Sequence, residues 1–159
     1  MKRVGDYIVY RRDVCKIIDL KKYNNIDYYV LSPLNDISLH INVPVNNKLG
    51  YIRDLMSKEE VSNLISKISS IELIDEEDRR LEFKYKELLD SGNYEDLVKI
   101  IKTSYLRNKK RLDNNKKISE KDKHYFDLAE KYLYNEISIV LNKDYEETKR
   151  YLISAIEKK

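Results

Sequence analysis

The stretch VGDYIVYRRDVCKIIDL, residues 4–20, decides the fold of the N-terminal part of the chain. It holds two short runs of β-branched and aromatic residues, at 7–10 and 14–18, on either side of the polar triplet at 11–13. Runs of this kind, bounded by polar turn residues, predict short strands joined by a tight connection. The chain therefore begins with β-structure. Its single cysteine, Cys15, lies among apolar neighbours and is predicted to be a buried thiol.

The strand pattern continues for about another 25 residues. The asparagine pair at 24–25 predicts a turn, residues 28–31 predict a third strand, and residues 37–43 alternate between apolar and polar side chains. Pro44 follows that alternation, and proline cannot donate a hydrogen bond to a neighbouring strand. We therefore expect a sheet edge here. The edge is either open to pairing with another chain or protected by its own loops.

Helical periodicity replaces the strand pattern after Gly50. Ser57 and Glu60 have the spacing of a capping box, in which each side chain satisfies a backbone amide at the start of a helix. Apolar residues then recur with the spacing of one helix face. The predicted helices begin at Ser57, within 75–78, at Tyr94, after Ser119 and at Asp144, and the second is predicted to end at a C-cap formed by Gly92.

These patterns predict an α+β fold. A small, bent antiparallel β domain at 1–54 is followed by a compact all-helical domain of about five helices at 55–159. The expected boundary lies near residues 52–56.

Sequence motifs for catalysis and metal binding are missing. The two histidines, His40 and His124, are far apart in the sequence and belong to no HExxH motif, and the three glycines form no phosphate-binding loop. The acidic run at 75–78 favours a helix N-terminus through the helix dipole, although a hydrolase that uses these carboxylates stays open. We therefore expect a binding protein rather than an enzyme, without a cofactor or a metal.

Charge is distributed unevenly, although the formal net charge is only +3. Between residues 102 and 131, ten basic side chains stand against five acidic ones. The stretch KKRLDNNKK, at 109–117, lacks apolar periodicity and is predicted to be a basic loop that leads into a helix N-terminus. Lysines and free helix amides both favour anions, so this loop is either a phosphate-binding surface or simply solvated. We see no leader or membrane span and expect a cytoplasmic protein.

Four segments carry a resemblance to a known family in the right order. VGDYIVYRRDVCKI at 4–17 and DYYVLSPLNDISLHINVPVNN at 27–47 are similar to its opening strands and to a strand that ends in Val-Pro and an Asn. LLDSGNYEDLVKIIKTSYLR at 88–107 and ISEKDKHYFDLAEKYLYNEIS at 118–138 are similar to two of its helical segments. The chain thus resembles the CarD/CdnL family of bacterial transcription regulators that bind RNA polymerase.

The resemblance implies a Tudor-like β domain that docks on the β-subunit lobe of RNA polymerase. It also implies a helical domain that contacts promoter DNA at the upstream edge of the transcription bubble and modulates open-complex stability. Such a protein is cytoplasmic, is associated with the nucleoid through RNA polymerase, and contacts the DNA backbone and minor groove without sequence specificity. Carried over by position, the polymerase-binding residues are Leu39, Ile41, Asn42, Val43 and Pro44, and the DNA-binding residues are Arg79, Arg80, Lys84 and Lys123, to which the basic stretch adds Lys109, Lys110 and Arg111.

One departure from the family pattern concerns tryptophan. Many members place a Trp shortly before the arginine pair, as a wedge in the minor groove, whereas this chain has no Trp and carries Glu77 or Asp78 at that place. A carboxylate repels phosphate and cannot wedge between stacked bases. The alternative function is therefore a polymerase-binding protein–protein adaptor without the wedge contact, homo-oligomeric through the sheet edge.

Overall fold

The computed structural model describes residues 1–91 and 93–158. The chain falls into two compact units, Met1–Met56 and Ser57–Lys159. The first holds a five-stranded antiparallel sheet and the second holds five α-helices, which confirms the predicted α+β fold. The division lies at the end of the range 52–56 expected from the sequence, two residues after the domain limit at residue 54.

The strands of the first unit are short except for two. They are β1 (Tyr7–Tyr10), β2 (Asp13–Tyr23), β3 (Ile26–Pro33), β4 (Ile41–Pro44) and β5 (Ile52–Arg53). Their order in the sheet is β4-β3-β2-β1-β5, and every neighbouring pair is antiparallel. One face packs into a core of Ile8, Cys15, Ile17, Tyr29, Leu31, Val43 and Ile52.

The strand that contains Cys15 is longer than its apolar run. Residues 14–18 were predicted, but β2 continues to Tyr23, because its polar second half pairs with β3. A β-bulge between Ile17 and Asp19 interrupts the register. The hairpin closes through Asn24 and Asn25, whose φ values of 49° and 63° are those of a type I′ turn.

The predicted strand at 37–43 is wrong in its first half, because the strand begins only at Ile41. The carboxylate of Asp36 accepts hydrogen bonds from the backbone N–H of Ser38 at 3.3 Å and from its hydroxyl at 2.6 Å. Leu39 N–H also donates to the Asp36 carbonyl at 3.1 Å. These local bonds compete with a sheet ladder and hold the segment in a turn.

The second unit is built from α1 (Lys58–Lys67), α2 (Asp78–Ser91), α3 (Tyr94–Asp113), α4 (Glu120–Leu141) and α5 (Tyr145–Glu157). A short 3₁₀ turn, Ile68–Ser70, follows α1. Ser57 forms the predicted capping box with Glu60, and Ser119 and Asp144 cap α4 and α5. The predicted C-cap at Gly92 lies outside the described residues.

The predicted basic loop at 109–117 is wrong in its first half, because α3 continues to Asp113. The helix ends at the next two asparagines. Asn115 adopts a φ of 56°, its N–H donates to the Leu112 carbonyl at 3.0 Å, and Lys116 N–H donates to the Arg111 carbonyl at 2.8 Å. This is a Schellman motif, which satisfies the last carbonyls of the helix. No helix within the described residues has the length and apolar character needed to cross a membrane.

Candidate functional site

Strand β4 is at one end of the sheet order, and within the described residues it pairs with β3 alone. Val45 N–H donates to the Asp27 carbonyl at 2.9 Å, just past the end of the strand. Because hydrogen-bonded and non-hydrogen-bonded pairs alternate in an antiparallel ladder, this bond makes Tyr28–Pro44 a non-hydrogen-bonded pair. The backbone groups of Asn42 and Pro44 therefore point away from β3. Because Pro44 occupies such a position, its lack of a backbone N–H removes no hydrogen bond between β3 and β4.

The five predicted polymerase-binding residues divide between the core and the surface. Ile41 and Val43 pack against the core of the sheet. Asn42 is exposed, Pro44 is half-buried, and Leu39, which precedes the strand, is 47% exposed. The Pro44 carbonyl accepts a hydrogen bond from Asn47 N–H at 3.3 Å, so the surface available to a partner along β4 is the outward backbone of Asn42 together with the side chain of Leu39.

A groove of about 300 Å³ adjoins Pro44 in the same unit. The side-chain amide of Asn47 holds its loop in place by donating to the Ile52 carbonyl at 2.8 Å and accepting from Ile52 N–H at 3.1 Å. Sequence reasoning did not identify this groove, although its asparagine pair at 46–47 is a turn signal of the kind recognised at 24–25. Its lining is Ile26, Val43, Pro44, Asn46, Asn47, Lys48, Leu49 and Tyr51.

In the helical unit, one arginine joins three helix ends. Arg107 donates from Nη2 to Oδ1 of Asp78 at 3.0 Å and from Nε to Oδ2 of Asp122 at 3.0 Å. Asp78 begins α2, Arg107 lies in the last two turns of α3, and Asp122 lies in the first turn of α4. The start of α2, the last two turns of α3 and the first turn of α4 are together called the basic end of the helical unit.

Asp122 itself is fully buried. Its Oδ1 accepts a hydrogen bond from the Tyr85 hydroxyl at 2.8 Å, and its backbone N–H donates to Oγ of Ser119 at 3.2 Å. Burial, followed by the bond to the Asp122 carboxylate, raises the pKa of Tyr85 well above its ordinary value. A buried carboxylate that is paired and hydrogen-bonded in this way acts as a structural anchor.

Six of the seven predicted DNA-binding residues, all except Lys84, belong to the last turns of α3 or the first turns of α2 and α4. Arg79 pairs with Glu77 at 2.7 Å, and Lys123 pairs with Asp127 at 2.8 Å. Arg80 and Lys110 are exposed, and Arg111 is half-buried with Nη1 3.9 Å from Oδ2 of Asp122.

Lys109 and Lys84 complete the predicted set. Lys109 pairs with Glu157 at 2.6 Å, which adds the C-terminal end of α5 to the basic end. Lys84 pairs with Glu87 at 3.2 Å. Because Lys84 lies six residues into α2, it is about 9 Å along the helix axis from Asp78 and apart from the other six.

Two of the ten basic residues between 102 and 131 point inward rather than toward solvent. The Nζ of Lys102 is buried and donates to the backbone carbonyls of Ile68 at 2.8 Å, Ser69 at 3.3 Å and Ile71 at 2.7 Å. Burial lowers its pKa. Arg107 is held between Asp78 and Asp122 as described. Two of the five acidic residues in the same stretch, Asp122 and Glu130, are buried as well, so the surface excess of positive charge is no smaller than the sequence count indicates.

The residues considered for catalysis lie apart. His40 is exposed and precedes β4 rather than lying within a strand, and His124 is exposed on α4 with its ring edge-on to Tyr125. Cys15 is fully buried as predicted, and burial raises its pKa to about 12. Among the described residues, no group of three or more His, Cys, Asp or Glu side chains is placed to hold a metal ion.

An open groove of about 340 Å³, here called the α3–α4 groove, lies at the basic end and was not predicted. Four of its ten lining residues are apolar or aromatic, and three are lysines. Sequence reasoning missed this groove partly because Leu112 lies within the stretch at 109–117 that was predicted to be a basic loop. The full lining is Ser104, Tyr105, Asn108, Lys109, Leu112, Ile118, Lys123, Phe126, Asp127 and Lys149.

Comparison with protein-family models gives no match to this chain, and comparison with curated proteins gives none either.

Proposed function

We propose that this chain is a transcription regulator of the CarD/CdnL type that acts by binding rather than by catalysis. Its sheet unit docks on the β-subunit lobe of RNA polymerase, and its helical unit contacts promoter DNA near the upstream edge of the transcription bubble. The observation that carries the proposal is the edge position of β4, with the backbone of Asn42 turned away from the sheet. The family-like sequence segments supply the identity of the partner.

The chemistry of β4 supports docking by strand addition. An extended segment of a partner can pair with the outward N–H and C=O of Asn42, while the adjacent groove takes an apolar side chain. Leu39 and Leu49 add exposed apolar surface on either side of Pro44 in the sequence. Main-chain bonds supply affinity in this mode and side-chain pockets supply specificity.

The basic end of the helical unit supports contact with DNA. Arg80 and Lys110 are exposed there, beside the paired Arg79, Lys109 and Lys123. Basic side chains that bind phosphate release counterions, which gives affinity without sequence specificity. This matches the backbone contact that the family resemblance implies.

A specific observation also favours the adaptor as a second candidate. Glu77 pairs with Arg79, and Asp78 pairs with Arg107, so acidic side chains partly neutralise the place where many family members carry a wedge. An adaptor would retain polymerase docking without stabilising the open complex.

Two substitutions at one position test the docking surface. Asn42→Pro removes the outward N–H, while Asn42→Ala retains it, and both leave the bonds to β3 unchanged. In a pull-down with the β-lobe fragment of the cognate polymerase, we expect wild type and Asn42→Ala to bind and Asn42→Pro to lose binding. Absence of wild-type binding would reject the docking claim, and equal binding by all three would reject strand addition.

Open-complex lifetime on a promoter separates the regulator from the adaptor. We expect wild type to change the lifetime and Lys123→Glu to weaken that effect, because the new carboxylate repels phosphate. Retained β-lobe binding serves as the control for Lys123→Glu. A wild-type protein that binds polymerase and leaves the lifetime unchanged is an adaptor.

A further inference from the structure

The wall of the α3–α4 groove contains two aromatic rings on facing helices. The ring centroids of Tyr105, on α3, and Phe126, on α4, are 6.2 Å apart, with an angle of 32° between their planes. At this distance the two rings are neighbours, so they form one continuous aromatic surface rather than two walls with a space for a ligand between them. Leu112, which is 60% exposed, and Ile118 extend this apolar surface. A flat apolar group can lie against such a surface.

The margin of the groove is cationic. Lys109, Lys123 and Lys149 line it, and each ammonium also pairs with a carboxylate, on Glu157, Asp127 and Glu130 in that order. The three lysine side chains remain 41–52% exposed. An ammonium has three donors, and exposed ion pairs contribute little to stability. Lys109 and Lys123, whose partners are exposed, can therefore bind a phosphate in addition to those partners or in exchange for them, whereas Lys149, which pairs with the buried Glu130, can bind one only in addition.

A flat apolar surface beside phosphate-binding cations is how proteins hold single-stranded nucleic acid. A base in a duplex hides both faces in the stack, whereas an unpaired base exposes a face that can stack on an aromatic side chain. Asp127 lies in the lining as well, and its carboxylate can accept a hydrogen bond from an amino group of a base. A purely apolar peptide would use the aromatic surface but would leave the three lysines unused.

We propose that the α3–α4 groove binds one unpaired nucleotide of single-stranded DNA, with the base against Tyr105 and Phe126 and the flanking phosphates at Lys109 and Lys123. This inference rests on the proposed contact of the helical unit with promoter DNA. It identifies the melted strand as the part of the promoter that the basic end binds. It places base contact in a groove between α3 and α4, separate from the position before Arg79 where the family wedge would stand.

The test measures binding of the full chain to a short single-stranded DNA with 2-aminopurine at its centre, without polymerase. We expect binding to quench the fluorescence of this base, and we expect the matching duplex to bind more weakly. Phe126→Leu keeps an apolar side chain but removes the stacking ring, so affinity should fall at least about fivefold. Phe83→Leu, at an exposed phenylalanine on α2 that is not part of the groove lining, is the matched control and should stay within about twofold.

Two further variants keep the test decisive. Leu112→Ser alters an exposed groove residue and should weaken binding even if Phe126→Leu fails to fold. Lys109→Gln combined with Lys123→Gln should weaken binding and lower its salt dependence. Lys67→Gln is the control, because Lys67 pairs with Glu95 in the first turn of α3, at the opposite end of that helix.

Several outcomes would overturn the proposal. Equal affinity for single strand and duplex, or equal losses from Phe126→Leu and Phe83→Leu, would remove the unpaired base from the groove. Displacement of the DNA by a low concentration of deoxyadenosine monophosphate would show that the groove is a site for a free nucleotide rather than for single-stranded DNA. If the protein self-associates and Leu112→Ser abolishes this association, the groove is occupied by a second copy of the chain. Since polymerase is absent, a failure here is distinct from a failure of β-lobe docking.

Discussion

The hydroxyl of Tyr85 donates to Oδ1 of Asp122 at 2.8 Å in the interior of the helical unit. The same carboxylate accepts from Arg107, which reaches out to Asp78. A buried carboxylate requires such partners, because an unpaired charge in the interior is strongly unfavourable. One polar network therefore fixes the relative positions of the helix ends that carry most of the predicted DNA-binding side chains.

Removal of the Tyr85 hydroxyl should destabilise the protein. Tyr85→Phe leaves Oδ1 of Asp122 without its donor, and an unsatisfied buried polar group costs about 1–3 kcal/mol. Urea unfolding measures the loss. Tyr151→Phe, at an exposed tyrosine on α5, is the control and should change the unfolding free energy by less than about 0.5 kcal/mol. Equal effects of the two substitutions would contradict the role given to the hydroxyl.

Lys102 should behave as a structural residue and not as a phosphate ligand. Lys102→Met keeps the apolar stem but removes the ammonium that donates to the Ile71 carbonyl, at a cost of about 1–3 kcal/mol, whereas the Ile68 carbonyl still accepts from Ile71 N–H at 3.3 Å. Lys99→Met, one turn earlier on α3, is the control. Chemical denaturation and DNA binding are measured on both variants. Reduced DNA affinity in a stably folded Lys102→Met protein would show that this lysine faces the ligand.

Glu130 should make the stability depend on pH. It is buried, Tyr145 and Lys149 share its Oε1, and its Oε2 has no hydrogen-bond partner in the part of the chain that the structure describes. Burial is the main cause of its raised pKa, and Lys149 opposes the shift. The folded state therefore binds this proton more tightly than the unfolded state does. The associated stability is present below the ordinary glutamate pKa and is lost as pH rises through the raised value.

Glu130→Gln removes this titration while keeping an acceptor for Tyr145. The unfolding free energy of the variant minus that of wild type should therefore increase between about pH 4 and about pH 7. Glu72→Gln, at an exposed glutamate in the segment before α2, is the control and should show a smaller change. A difference for Glu130→Gln that is constant over this range, or that shrinks, contradicts the raised pKa.

Arg80 should contribute to duplex DNA binding through its charge alone. Arg80→Ala should lower the slope of log affinity against log salt by about 0.9, because one phosphate contact is lost. The loss should be similar for unrelated DNA sequences. Lys67→Ala, at a residue in the last turn of α1 that pairs with Glu95 at the start of α3, should leave the slope unchanged. A loss of affinity for one DNA sequence only would point to contact with a base rather than a phosphate.

The caps and turns were readable from the sequence because their signals are local. Ser57, Ser119 and the asparagine pair at 24–25 each act on backbone groups within three residues, so residue type and spacing determine the outcome. The α+β division was readable for the same reason, since the hydrophobic period changes from two to about 3.6 residues after Gly50.

The errors in the helical unit arose where a partner distant in sequence, or a helix without an apolar face, decides the structure. The last residues of α3, Lys109 to Asp113, are compatible with a helix but show no apolar stripe. The signal that ends the helix, at Asn114 and Asn115, was interpreted as part of a loop. Lys102 was counted as surface charge because its acceptors lie 31 to 34 residues earlier in the chain. Charge counts along a sequence do not distinguish a solvated ammonium from a buried one.

The helical continuation of α3 to Asp113 has a consequence for recognition. Successive residues of a helix point about 100° apart, so Lys109, Lys110 and Arg111 project in three fixed directions instead of gathering on one phosphate. The entropy of ordering this backbone is lost when the protein folds, not when it binds. We therefore expect the basic end to discriminate among polyanions by the spacing of their charges, as a rigid template does, rather than by total charge.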